Sequence, residues 1–208
     1  MFWLEQTFPL LCSSHQPFLP SIQKLKLTLR RSDWWYNERN APLSISPYRN
    51  NSENANSMLQ DMSTSSRGEE LLFLPNSWGS AFKHLPSLKS LEIEFETSDD
   101  KKDELLSILK WARTWRFPLS EDGVVLSAEG TDVTSMSWQS PMCGWSDICP
   151  YCGSHGSCRL MLNAPTAGQQ QKEECRLRMK ARQLGRGPIC HVYSVLWRKV
   201  AKEKDARR

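Results

Sequence analysis

The residues with the clearest potential for chemistry are Cys149 and Cys152, which frame the segment CPYCG. Two thiolates separated by two residues can converge on one zinc ion, and the glycine lets the backbone turn beneath them. Such a pair supplies half of a tetrahedral site, so we predict Cys158 and Cys190 as the other two ligands. The remaining candidates are Cys143, His155, Cys175 and His191.

Two other interpretations of these cysteines stay open. Free cysteine is often a small buried side chain, so the thiols would also suit a structural role around a loop. A redox CxxC normally opens a helix, whereas Gly153, Ser154 and Gly156 are poor helix formers. Cys190 and His191 are neighbours on a predicted strand and point to opposite faces, so the imidazole cannot activate the thiol. We predict a partly buried, hydrogen-bonded histidine.

Other catalytic patterns are not found in the sequence. It contains no GxSxG, GxGxxG, Walker A or HExxH motif. The acidic pair Asp99-Asp100 stands where a following helix needs its N-terminal cap, and we assign it that role. The alternating residues Glu92, Glu94 and Glu96 form a stripe on one strand face. We therefore predict no active site and a protein that is not an enzyme.

The elements that must position these residues are indicated by a near-copy within the chain. Residues 19–33 and residues 85–99 share apolar side chains at every second position, as a half-buried strand requires. A strand repeated at a fixed offset predicts two equivalent places in one sheet. Side by side in register, Lys26 would face Glu92 and Arg30 would face Glu96; the alternative is that all four charges face solvent without pairing.

The rest of the chain predicts a helix, further strands and loosely packed segments. Apolar residues at helical spacing predict a helix over residues 100–116, which must end before Pro118. A basic helix is expected at residues 172–184. Alternating patterns predict strands at residues 124–126, 133–138 and 189–198. The mostly polar composition of residues 50–67 predicts a disordered insertion, and residues 142–181 are expected to form a loose Cys-containing segment. Residues 199–208 are rich in charge and predict a basic tail.

Composition limits the number of domains and indicates the cellular compartment. The chain has 208 residues, 39% of them apolar, and nine tryptophans, which predicts a single domain over residues 1–208 with an aromatic core. No apolar run approaches the roughly 20 residues that cross a bilayer, so we expect no membrane partner. The first residues make a poor secretion signal, and six of the seven cysteines follow residue 142. We therefore expect reduced thiols and a cytoplasmic or nuclear protein.

The net charge of +4 conceals an asymmetry. Residues 172–208 hold twelve Lys or Arg against four Asp or Glu, so this region carries +8. Such a region can attract nucleic acid, although basic runs are more often simply solvated. Two interpretations also exist for the aromatic run Trp34-Trp35-Tyr36. It could form a stacking surface for single-stranded nucleic acid, but we favour a cluster that covers the end of the sheet.

Several segments carry a resemblance to a known group of proteins. They are LPSLKSLEIEFET at 85–97, WARTWRFPL at 111–119, DWWYNERNAPL at 33–43 and the late aromatic strand. Together they resemble uncharacterised fungal proteins described as F-box-like or leucine-rich-repeat-like, over residues 19–119 and more loosely 187–198. No F-box-type helical segment is found near residue 1, which would fit a chain that begins partway through a longer protein.

These observations predict a small α+β domain. Its mostly β sheet would hold both near-copy strands and the late strand, with one long helix packed on it. The resemblance implies a non-enzymatic intracellular interaction module with a protein partner, such as the recognition part of an F-box-like or leucine-rich-repeat-like protein. The alternative is a zinc-stabilised nucleic-acid-binding protein that uses the CPYCG segment and the basic C-terminal region.

Overall fold

The described residues of the computed structural model are 3–14, 16–30, 33, 42–50, 55–120, 123–141, 168–169, 172–173, 176, 180, 184 and 186–201. They form one mixed sheet with short helices, which confirms the predicted α+β class. The predicted Cys-containing segment at 142–181 and the aromatic run at 34–36 lie almost wholly outside these residues. So does most of the predicted helix at 172–184. Residues 199–201, expected in the basic tail, instead belong to the last strand.

Six strands make up the sheet. They are β1 Lys24–Leu29, β2 Ser90–Ser98, β3 Arg116–Pro118, β4 Val124–Ser127, β5 Thr134–Pro141 and β6 Arg186–Ala201. Their order is β1-β2-β6-β4-β3, with β5 paired to the first half of β6. Only the β1–β2 pair is parallel among these ladders. At 16 residues, β6 is long enough to pair with β2 along one edge and with β5 and then β4 along the other.

The twin segments are neighbouring parallel strands, as predicted. Lys26 is paired with Glu92 in the β1–β2 register, and its Nζ lies 3.2 Å from Glu92 Oε1 and 2.7 Å from Glu94 Oε1. The predicted pairing of Lys26 is thus confirmed and extends to a second carboxylate. Arg30 lies one residue beyond the end of β1, and its backbone N–H donates to Asp33 Oδ2 at 2.8 Å. Charge complementarity therefore helps to fix the strand register.

Glu94 should make part of the stability depend on pH. The hydrogen bond from Lys26, assisted by one from Thr28, lowers the pKa of Glu94 below its ordinary value of 4.5, against the opposing effect of burial. A carboxylate with a lowered folded-state pKa stabilises the fold at neutral pH and loses that contribution as the pH falls through the folded pKa. We expect Glu94→Gln to lower the urea midpoint slightly at neutral pH.

The same comparison in acid provides the check on Glu94. As the pH falls below 4.5 and then through the lowered folded-state pKa of Glu94, the difference between the wild type and Glu94→Gln should shrink towards zero, because the carboxylate becomes protonated in the unfolded and then in the folded state. Glu70→Gln, at an exposed position, is the matched control and should change little at either pH. A difference that stays constant down to strong acid would contradict the role assigned to the carboxylate.

The long helix is shorter than predicted. A 3₁₀ turn, Asp99–Lys101, leads into α3, Lys102–Ala112, after the earlier helices α1, Phe8–Ser13, and α2, Ala55–Ser66. Helix α3 ends before Trp115, and the chain continues into β3. This strand was not predicted, because a strand of three residues is too short to show an alternation of apolar and polar side chains. The predicted Asp99 or Asp100 cap is wrong. Lys101 occupies the N-cap, and no side chain caps the helix there.

The predicted disordered insertion at residues 50–67 is also corrected. Residues 55–66 form helix α2, and two of its side chains are buried, Met58 at 4% and Asp61 at 2% exposure. Arg49 holds Asp61 with two hydrogen bonds, Nε–Oδ2 at 2.8 Å and Nη2–Oδ1 at 2.6 Å. Ser46 Oγ donates to the same carboxylate at 3.1 Å. The helix forms because a charge pair, in addition to apolar area, ties it to the preceding segment.

An aromatic cluster fills the core, as the tryptophan content predicts. Trp115 lies at its centre and is fully buried. Its ring centroid lies 5.2–6.3 Å from those of five other rings: Trp78, Phe95, Trp111, Phe117 and Trp197. Edge-to-face contacts dominate these pairs, the geometry that aromatic quadrupoles favour. The cluster joins α3, β2, β3 and β6 and so holds the sheet and its helical layer together.

Candidate functional site

Only one of the four predicted zinc ligands lies among the described residues. Cys190 is 3% exposed and is paired across the sheet with Ser98 on β2 and with Trp138 on β5. The other three, Cys149, Cys152 and Cys158, fall outside the described part of the chain. Within that part, no three His, Cys, Asp or Glu side chains are grouped to hold a metal ion. The zinc site and the structural-thiol alternative therefore stay predictions.

His191 lies on the opposite face of β6 from Cys190, in keeping with strand alternation. Its side chain is 6% exposed. Ring atom Nδ1 is 2.7 Å from Ser137 Oγ on β5, and Nε2 is 2.9 Å from Asp99 Oδ1 in the turn after β2. The Tyr193 ring is stacked near it, with centroids 6.3 Å apart. The prediction of a partly buried, hydrogen-bonded histidine is confirmed.

A groove runs along the outer side of β1. It has a volume of about 290 Å³ and lies between that strand and the helical turn that begins at Trp3. Leu27 and Leu29 form its floor and are nearly buried, whereas Trp3 is 50% exposed at its rim. The remaining lining residues are Leu4, Thr28, Arg30 and Asp33. We call this the β1 edge groove.

The strand beside the β1 edge groove has no strand neighbour on its outer side among the described residues. β1 ends the strand order, so no described strand pairs with its outer edge. In a parallel strand every second residue directs its N–H and C=O to the outer side, where they form a row of hydrogen-bonding groups. The edge therefore combines backbone donors and acceptors with the apolar lining of the groove, Trp3, Leu27 and Leu29.

Positive side chains stand on the polar face of this edge. Lys24 and Lys26 alternate with the leucines of β1 and are both exposed. Lys26 is paired with Glu92 and Glu94, which stand one strand further in, on β2. Adjacent strands are about 4.8 Å apart, so an incoming strand would meet the lysines first.

The fold defines the class of the protein as a small α+β domain, and the outer edge of β1, beside an apolar groove, is covered by no described strand. Comparisons with protein-family models, with curated proteins and with solved structures gave no match to this chain. None of the helices in the described part of the chain is long and apolar enough to span a membrane.

Sequence reasoning missed two features of these sites. Trp3 belongs to a short apolar stretch whose position against β1 leaves no periodic signal. Ser137 and Asp99 are separated from His191 by 54 and 92 residues, so no local motif could join them. The strand register is what brings Ser137 opposite His191, since the two are direct cross-strand partners.

Proposed function

We propose that this protein is an intracellular interaction module, in the cytoplasm or nucleus, that binds an extended segment of a protein partner by strand addition at β1. The observation that carries the proposal is the outer edge of β1 beside the β1 edge groove, an edge that no described strand covers. Strand addition derives affinity from main-chain hydrogen bonds and specificity from pockets for alternate side chains.

The charge pattern of the edge indicates the composition of the bound segment. Its apolar side chains would lie over Leu27, Leu29 and Trp3, and its alternate side chains would lie beside Lys24 and Lys26. β2 already satisfies this pattern on the inner edge of β1 with its sequence SLEIEFETS. A partner segment that alternates acidic and apolar residues therefore suits the outer edge.

Self-association through the same edge is disfavoured by charge. Two copies of β1 placed edge to edge would bring their lysines at positions 24 and 26 close together, and like charges on neighbouring strands repel. Lysine on an edge strand is a common device against sheet-to-sheet aggregation. The preferred occupant is therefore an acidic segment of a different protein rather than a second copy of this chain.

A synthetic peptide can test this proposal on the full chain. A fluorescently labelled SLEIEFETS peptide should bind in an anisotropy titration, and a version with its three glutamates changed to lysine should not. Trp3→Ala should weaken binding about tenfold or more, because burying a large apolar side chain is worth about 1.5–3 kcal/mol and about 1.4 kcal/mol is tenfold in Kd. Lys24→Glu should weaken it as well.

Controls distinguish specific binding at the β1 edge from nonspecific binding of the peptide. Lys110→Glu makes the same charge change at an exposed position on α3 and should leave peptide affinity unchanged. A peptide with N-methyl groups on alternate residues should lose binding when those residues face β1. Equal binding of the acidic and the lysine peptide, or equal loss in Lys110→Glu and Lys24→Glu, would overturn the proposal.

The nucleic-acid alternative stays a prediction. The residues on which it depends, the CPYCG segment and most of the basic C-terminal region, lie outside the described part of the chain. No contact among the described residues favours it over the β1 edge.

A further inference from the structure

Three side chains at one end of the sheet form a continuous hydrogen-bonded chain. Ser137 Oγ is 2.7 Å from His191 Nδ1, and His191 Nε2 is 2.9 Å from Asp99 Oδ1. The serine is exposed on β5, the imidazole is enclosed, and the Asp99 side chain is 63% exposed. These three groups are separated from the β1 edge groove by β2, so their chemistry is independent of the proposed function.

The hydrogen bonds fix which nitrogen carries the proton. An ionised carboxylate can only accept hydrogen bonds, so Asp99 requires a proton on His191 Nε2. In the neutral ring Nδ1 then has a free lone pair and must accept its hydrogen bond from the Ser137 hydroxyl. This is the arrangement in which a histidine acts as general base towards a serine while a carboxylate orients the ring.

We infer that Ser137 is a base-activated nucleophile that accepts an acyl group from activated carboxylic esters. As Ser137 Oγ bonds to the carbonyl carbon, its proton moves to His191 Nδ1, and the bond between that carbon and the leaving oxygen breaks. The resulting imidazolium is stabilised by Asp99 at Nε2. The leaving alcohol takes the proton from Nδ1. Water then attacks the acyl carbon and gives a proton to the same nitrogen. The bond between the acyl carbon and Ser137 Oγ breaks, Oγ takes that proton, and the carboxylic acid leaves.

The position of Ser137 allows a substrate to approach. β5 pairs with β6 along one edge, and no described strand pairs with its other edge. Two residues flank the serine on the opposite face of β5, Met136 at 63% and Trp138 at 38% exposure. Ser135 shares the face of Ser137 and is also exposed, but its cross-strand partner is Tyr193 rather than a histidine. Ser135 is therefore a built-in reference for an unactivated hydroxyl.

The test uses the full chain and two small electrophiles, a fluorophosphonate and p-nitrophenyl acetate. Mass spectrometry should locate the adduct on Ser137 and not on Ser135. General-base assistance contributes typically 10²–10⁴-fold, so labelling of Ser137 should exceed that of Ser135 by at least about 100-fold. With the fluorophosphonate, the new bond is Oγ–P, fluoride leaves, and the proton stays on His191. Ser137→Ala should abolish the adduct, and Ser135→Ala should leave it unchanged.

Asp99 is a positioning residue, and its replacement gives a second readout. In Asp99→Asn the amide N–H can donate to Nε2, which favours the tautomer with its proton on Nδ1 and removes the base from Ser137. We expect labelling to fall about 100-fold or more. Asp99→Glu keeps a carboxylate at this position and should restore labelling towards the wild-type rate, a recovery that a purely structural role of Asp99 would not predict. Asp103→Asn, on the first turn of α3, is the charge-matched control.

The outcomes decide the inference in either direction. A selective Ser137 adduct whose rate depends on the Asp99 carboxylate supports an activated serine. Labelling of Ser137 no faster than that of Ser135 overturns it, as does labelling of Asp99→Asn at the wild-type rate. Thermal unfolding of each variant separates loss of reactivity from loss of fold, and Asp99→Asn should melt close to the wild type because its side chain is largely exposed.

Discussion

Trp115→Ala is expected to lower the free energy of unfolding by about 3–5 kcal/mol, the range for removing a buried Trp or Phe side chain. The Trp115 ring is fully buried against five other rings, so the cavity left behind would be lined by rigid neighbours that cannot collapse into it. Domains are stable by only about 5–15 kcal/mol, so this single change should bring the protein close to unfolding. Urea denaturation followed by far-UV circular dichroism would measure it.

Trp115→Phe provides the informative contrast. The indole Nε1 of Trp115 is buried and makes no hydrogen bond among the described residues, so phenylalanine removes an unsatisfied donor as well as some volume. The cost should therefore be well below that of alanine. Trp3→Ala, at a half-exposed position, should cost less than about 1 kcal/mol. Equal midpoints for Trp115→Ala and Trp3→Ala would contradict the central place of this ring.

Arg49→Met is expected to cost about 3 kcal/mol. Removing one partner of a buried pair leaves an uncompensated charge, here the Asp61 carboxylate, whose side chain is 3% exposed. The value lies at the lower end of the usual range because the Arg49 side chain is 36% exposed and water can partly replace it. Equilibrium urea unfolding measures the loss, and hydrogen exchange should show α2 opening first.

A double variant tests whether the stability lost in Arg49→Met comes from the uncompensated charge of Asp61. Arg49→Met combined with Asp61→Leu should recover most of the lost stability, since replacing both partners by apolar groups is often neutral. Arg67→Met breaks the fully exposed pair with Glu69 and should cause no measurable change. If Arg49→Met behaved like Arg67→Met, the attachment of α2 through this pair would be wrong.

The sequence predicted those parts of the fold that leave a periodic signal. The twin strands, the Lys26–Glu92 contact and the core of β6 follow from alternation alone. Helix α2 was missed because it is fixed by Asp61 and a few apolar side chains, which a composition average treats as disorder. β3 was missed because a strand of three residues is too short to show a period-two alternation of apolar side chains.

The candidate sites were much less accessible to sequence reasoning. The edge role of β1 depends on the order of the strands, which no local pattern states. The environment of His191 depends on a β5–β6 register that joins residues 54 positions apart. The sequence correctly placed the histidine on a strand face away from Cys190, but it could not name the groups on its two ring nitrogens.

The long strand β6 has a consequence for synthesis of the chain. It lies between β2 and the β4–β3 pair, yet it begins about 90 residues after β2 ends. At translation speeds of about 5–20 residues per second, β2 waits about 4–18 s for this neighbour. During that interval its edge is open and carries Leu91, Ile93 and Phe95. The glutamates between them would then act as gatekeepers that keep nascent chains from aggregating before the sheet can close.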